Sequence, residues 1–245
     1  MTRVHPDVLQ DLAPLGILRA AINYGNPILA SRDPVSQEPR GVSVDLAREL
    51  ARRLGVDIEL VPFEAAGKVV DAAPRNVCDV AFIARDPLRA QEVDQTQAYL
   101  RIEGAYLVRD HSTFQLGAEV DRVGVCVVVG AGSAYDLFLT RTLKHAHLFR
   151  TTSSATVVDT MAAQAADEVV AAGVRQQLEA DAKRWPGLRM LPGSFMSIEQ
   201  AMGTPKGRAA GALYLQNFVR DSVRNGLLAR LLLDHGIEGV TVAAV

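Results

Sequence analysis

Gly41-Val-Ser-Val-Asp-Leu-Ala-Arg-Glu-Leu-Ala-Arg-Arg-Leu-Gly55 decides the fold. From Ser43 to Leu54, Leu46, Leu50 and Leu54 fall with Ala47 and Ala51 on one face at helical spacing. Arg52 and Arg53 in the last turn suit the negative end of a helix dipole, and Gly55 just beyond suits the C-cap. The spacing predicts a helix over Ser43–Leu54. Short β-branched runs flank it: Ile17-Leu-Arg-Ala-Ala-Ile22 before and Val56–Val61 after. Strand, helix and strand in that order predict an α/β fold with parallel strands.

The same alternation continues along the chain. Lys68–Ala73 reads as a short helix stopped by Pro74, Asp79–Ile83 as a buried strand, and Ala105–Val108 and Val123–Val129 as further strands. A helix is expected from Ser133 to about His145 and another over Thr156–Gln164. Glu168–Ala172 reads as a strand, Arg175–Trp185 as a helix closed by Pro186-Gly187, and Ser197–Gly203 as extended. Gly207–Asp234 reads as two helices broken near Asn225-Gly226.

Composition excludes several classes. Of 245 residues, 26 are Lys or Arg and 28 are Asp or Glu, a net charge of −2. A dedicated nucleic-acid or polybasic membrane partner is therefore not expected. With 49% hydrophobic and 22% charged residues the chain reads as globular rather than disordered. No run approaches the length of a membrane span. Met1-Thr-Arg-Val-His-Pro-Asp7 leads into no apolar core of a secretory signal, so the sequence as written predicts a cytoplasmic product. Cys78 and Cys126 suit a reducing compartment, with their pairing left open by sequence.

Arg89 is the leading candidate for a site. It follows the strand Asp79–Ile83 in a turn opened by Asp86-Pro87, and the C-terminal ends of strands are where open α/β sheets bind ligands. A guanidinium there can grip a carboxylate with two parallel hydrogen bonds; the alternative is a surface ion pair with Glu92 or Asp94. Gly132-Ser133-Ala134 ends a strand and opens a helix, so its backbone N–H groups form a second anion site, with Ser133 also the N-cap. Tyr24, Asn26 and Phe63 follow strands and could wall a small pocket, with core packing an equal reading for Phe63. Arg175 either adds a second cation to the site or starts a solvated helix.

Other motifs fail. Gly130-Ala-Gly132 begins a dinucleotide-like string, but position 135 is Tyr, and Thr204–Arg208 lacks the spacing of a phosphate loop. No serine elbow is present, and His145 and His147 have no companion ligands, so neither a catalytic centre nor a metal or cofactor is expected. Trp185, Met190, Met196 and Met202 read as core.

Three ordered segments resemble the type 2 periplasmic binding proteins, specifically the polar amino-acid solute-binding proteins of ABC transporters. Gly25-Asn-Pro-Ile28 with Gly41–Gly55 is similar to that family's PPF loop and GFDVDLAxALAxRLG helix. Cys78-Asp-Val-Ala-Phe-Ile-Ala-Arg-Asp-Pro-Leu-Arg89, continuing to Tyr99, resembles its strand and TPERxxxVDFSxPY turn. Gly132-Ser-Ala-Tyr135 resembles its GT or GS turn. The resemblance runs from about Leu15 to Gly236.

It implies two lobes, each a mainly parallel sheet flanked by helices and joined by two hinge crossovers. Residues 1–103 and 198–245 would form lobe 1 and residues 104–197 lobe 2, with the ligand in a cleft that closes around it. The expected ligand set is Arg89, Gly132, Ser133 and Ala134, with Ile83 and Ala84 at a strand end, Tyr24, Asn26 and Phe63 as walls, and Arg175 and Gln176 after the last strand of lobe 2. The resemblance also implies a monomer that hands a small carboxylate-bearing molecule to an ABC permease, and a periplasmic home if the chain natively starts further upstream.

Two departures alter the ligand expected. The family's threonine ahead of the Arg turn is Ala84 here, and its ammonium-pairing Asp, at the end of the strand in Asp167–Gly173, is replaced by Ala172-Gly173. An ammonium buried without a carboxylate is costly, so these departures point to an acid lacking an α-amine. The alternatives are an enzyme on the same scaffold, acting on a carboxylated small molecule as dehydratases do, and a cytosolic sensor. A buried acid at Glu103 or Glu199 would mark the enzyme.

Overall fold

The computed structural model describes residues 4–166 and 168–244. Met1–Arg3, Asp167 and Val245 lie outside the described residues. In chain order the elements are α1 (Pro6–Leu12), β1 (Ile17–Asn23), β2 (Ser31–Arg32), β3 (Pro39–Arg40), α2 (Val42–Leu54), β4 (Asp57–Phe63), α3 (Ala66–Ala72), β5 (Val80–Ala84) and β6 (Val93–Gln95). Then come β7 (Leu100–Arg109), β8 (Cys126–Gly130), α4 (Ala134–Thr142), β9 (His147–Thr151), α5 (Val157–Ala163), β10 (Val169–Val174) and α6 (Arg175–Arg184). The chain closes with β11 (Leu188–Met190), β12 (Met196–Pro205), α7 (Ala209–Arg224), α8 (Leu227–Asp234) and β13 (Thr241–Val242). No helix among the described residues is long and apolar enough to cross a membrane.

The chain divides into two compact units, Met1–Arg101 with Glu199–Val245 (unit 1) and Ile102–Ile198 (unit 2). In unit 1, β1 lies between β4 and β5 and runs parallel to both. β12 then pairs antiparallel with β5, Gln200 opposite Ala84, and with β6. α2 buries Leu46, Ala47, Leu50, Ala51 and Leu54, and Gly55 ends it at φ 71°, a conformation a glycine adopts without strain. Beneath the sheet, Ala21, Val69, Cys78, Ala81, Ile83 and Val93 form a buried cluster.

Asp79 is fully buried just ahead of β5, and arginines on both sides neutralise it: Arg19 Nη2 and Arg208 Nη1 each lie 2.8 Å from its Oδ1. This joins β1 to the turn before α7 and gives Arg208, seen in the sequence only as part of a failed phosphate loop, a structural role.

In unit 2, β8 lies between β10 and β9 and is parallel to both, while β10 pairs antiparallel with β7. β8 is buried along its whole length, as its Val-Val-Val run requires of an inner parallel strand. Leu107, Val128, Val157, Met161, Val169 and Leu178 fill the core between this sheet and its helices.

The structure revises several boundaries. Helix α4 stops at Thr142, short of His145, because the Asp121 carboxylate accepts the N–H groups of Lys144, His145 and Ala146 and draws the chain out of the helix. His147 then begins β9, which the sequence reading missed. β9 lies at the end of the sheet path and is largely exposed, so it lacks a clean apolar alternation. Pro74 does not end a helix at Ala73; it sits in the first turn of a 3-10 turn, where its missing N–H costs nothing. Val123 is exposed and precedes β8 rather than starting it. Met202 is core as expected, but Trp185 is 39% exposed and its Nε1–H donates to Asp159 at 2.8 Å.

Candidate ligand-binding site

Parallel strands bring their C-terminal ends to one edge. In unit 1 these are Phe63, Asn23 and Ala84, so Tyr24, Asn26 and the Arg89 turn all follow the same edge of the sheet. Arg89 is 3% exposed, and its Nη1 donates to the Ala84 carbonyl at 3.0 Å. Asp86 caps this turn, its Oδ1 accepting Leu88 N–H at 2.9 Å. Burial pulls the Arg89 guanidinium down to about 10, and the nearby Asp86 only partly opposes that. Of the acids offered for a surface ion pair, Asp94 instead holds Lys206 at 2.6 Å.

Ile83 points into the core, and Ala84 contributes the carbonyl that orients Arg89. Phe63 rests against the core cluster, and its carbonyl accepts Tyr24 N–H. Tyr24 has the Arg32 guanidinium 4.6 Å from its ring centre, and Arg32 is held in turn by Glu64 at 3.1 Å. One face of that aromatic wall is therefore covered by a cation. Asn26 is buried, and its Oδ1 and the Tyr24 hydroxyl accept no hydrogen bond among the described residues. Two such buried polar atoms in the segment after β1 are what a polar ligand would satisfy.

In unit 2, β8, β9 and β10 end together at Gly130, Thr151 and Val174. Gly132 takes φ 68°, and Ser133 caps α4 by accepting Asp136 N–H at 3.1 Å. The Gly132 N–H donates to Asp136 Oδ2 at 2.8 Å, and the Ser133 N–H to the Gly130 carbonyl at 3.1 Å. Of the three residues of this turn, Ala134 keeps an N–H with no partner among the described residues, in the first turn of α4. Sequence reasoning missed Asp136 as the partner of the first donor.

Arg175 opens α6 and is already engaged: its Nε meets Glu103 at 2.5 Å and its Nη2 the Gly193 carbonyl at 2.6 Å. Gln176 follows it, half-buried, on the first turn. Glu199, the other candidate acid, pairs with Arg101 at 3.3 Å and Arg85 at 3.5 Å.

Buried Asn26 and Arg89 thus lie at the strand ends of unit 1, and the capped start of α4 at those of unit 2. Residues 18–235 match the bacterial extracellular solute-binding proteins, family 3, and the chain belongs to that family. A mutant of ArgBP from T. maritima is similar in structure, with a TM-score of 0.79 at 21% identity over 94% of this chain and 100% of that one. The cysteine-binding protein from Campylobacter jejuni gives 0.79 at 16% identity over 93% of this chain and 92% of that one. An ancestral amino acid-binding protein, described as a precursor of cyclohexadienyl dehydratase, gives 0.77 at 19% identity over 92% and 98%. The fold is thus the two-lobe α/β fold of the periplasmic binding proteins. The curated proteins contain no match.

Proposed function

We propose that this solute-binding protein captures a small carboxylate-bearing molecule by hinged closure of its two units. Arg89 grips the carboxylate, and the start of α4 supplies a backbone donor. The observation that carries this reading is the burial of Arg89 at the end of β5, where desolvation outweighs the help from Asp86. A guanidinium fixed in that position offers an anion two parallel charge-assisted hydrogen bonds. Tyr24 and Asn26 then satisfy their buried polar atoms on the rest of the ligand, and Phe63 backs the Tyr24 loop. Arg175 and Gln176 border the unit 2 side, with Arg175 held by Glu103.

In this reading the protein binds and releases without chemical conversion. The two carboxylates that could serve as proton-transfer groups, Glu103 and Glu199, are held in arginine ion pairs instead. The partner is an ABC permease, and the working compartment is the extracellular one named in the family's description. The ligand is an acid without an α-ammonium, since Ala172 and Gly173, paired in β10 with Tyr106 and Ala105, offer that group no carboxylate.

A thermal-shift panel tests this. Amine-free mono- or dicarboxylates should raise the unfolding midpoint, as any ligand of the folded state must, and the twenty standard amino acids should leave it nearly unmoved. A large shift with a standard amino acid and none with the plain acids would refute it.

A further inference from the structure

The edge of the unit 2 sheet carries a third turn, Thr152-Ser153-Ser154 after β9, beside the one that opens α4. The two turns touch. A Cβ built on Gly130 would lie 2.6 Å from Ser154 Oγ and 2.8 Å from its Cα, so Ser154 fills the space that the glycine leaves. The Tyr135 hydroxyl, from the first turn of α4, donates to Ser154 Oγ at 2.6 Å. Burial raises the Tyr135 phenol, so its hydroxyl stays protonated and is available as a donor. A serine oxygen that accepts one proton still holds its own. Neighbouring hydroxyls are turned inward: Thr151 and Thr156 both donate to the Ser153 carbonyl, and Ser133 Oγ accepts Asp136 N–H while its hydroxyl is hydrogen-bonded with that of Tyr135. Ser154 is only half-buried and stands against the turn that leads into α4.

We infer that Ser154 contacts the ligand, its hydroxyl donating to an acceptor oxygen of the molecule held at the start of α4. The inference rests on the carboxylate-capture reading. It makes Ser154 a specificity-determining residue that favours ligands with an acceptor beside the bound acid.

Two variants separate this from a purely structural tie. Tyr135→Phe removes the Tyr135–Ser154 hydrogen bond but keeps the serine hydroxyl, whereas Ser154→Ala removes both. The wild type and both variants are equilibrated with a protein-free extract of small metabolites. The acid retained by the wild type is identified by mass spectrometry and then titrated into each protein by calorimetry. Ser154→Ala should bind about 5–10-fold more weakly, the scale of one hydrogen bond, and Tyr135→Phe should stay within about twofold. Equal weakening of the two variants, or unchanged binding by Ser154→Ala, overturns the role of Ser154 and leaves the capture reading standing. A wild type that retains no carboxylate-bearing compound overturns the capture reading, and this inference with it.

Discussion

The carboxylate of Asp136 occupies one donor of the turn that opens α4, its Oδ2 accepting the Gly132 N–H at 2.8 Å. Its other oxygen meets Arg150 Nε at 2.9 Å, so a single buried side chain ties the turn to β9. Asp136→Ala should cost about 1–3 kcal/mol in urea unfolding, from the stranded partners. An unchanged midpoint would show that water replaces the carboxylate at no cost.

Asp79 is buried against Arg19 and Arg208, and neither arginine reaches the surface freely, their side chains being 15% and 14% exposed. Asp79→Asn leaves two partly buried guanidinium groups facing a neutral amide. A loss of about 3–5 kcal/mol is expected by denaturant titration, as for other broken buried pairs.

Glu49 carries a pH dependence of definite sign. Hydrogen bonding to Arg52, aided by Arg53 and opposed by burial, holds its carboxyl down at about 2 against an ordinary 4.5. A folded-state pKa below the unfolded value means the stabilisation is complete above pH 4.5 and is lost as pH falls towards 2. Because the Arg52 side chain is 62% exposed, screening reduces it to about 1–2 kcal/mol. Thermal midpoints of the wild type should therefore fall more steeply than those of Glu49→Gln across that range; parallel curves would contradict the assignment.

Cys78 and Cys126 are both buried and unpaired as thiols. Burial pushes Cys78 up to about 11 and Cys126 upward too, so little thiolate exists near neutrality. A maleimide added to native protein should label neither within an hour or so, and both after unfolding.

The fold was legible where the sequence obeyed a single rule. The α2 face from Leu46 to Leu54 and the all-buried β5 and β8 runs follow from periodicity and hydrophobicity alone. β9 was not legible, because a short strand at the sheet's edge has no apolar face to announce it. The end of α4 was set by Asp121, more than twenty residues away in sequence, which no local pattern can reveal. At the site, Arg89 could be singled out from its place after a strand and a capped turn. Whether a named residue was already committed could not: Arg175 to Glu103 and the face of Tyr24 to Arg32 depend on tertiary contacts, and Gly132 to Asp136 on the side-chain rotamer four residues on.

The central claim is that Arg89 holds the ligand's carboxylate. Calorimetric titration of the retained acid into the wild type and into Arg89→Ala tests it most directly. Loss of a desolvated charge pair should weaken binding by about 2–5 kcal/mol, more than tenfold, with the variant still folded. Equal affinity in the two proteins would contradict the account.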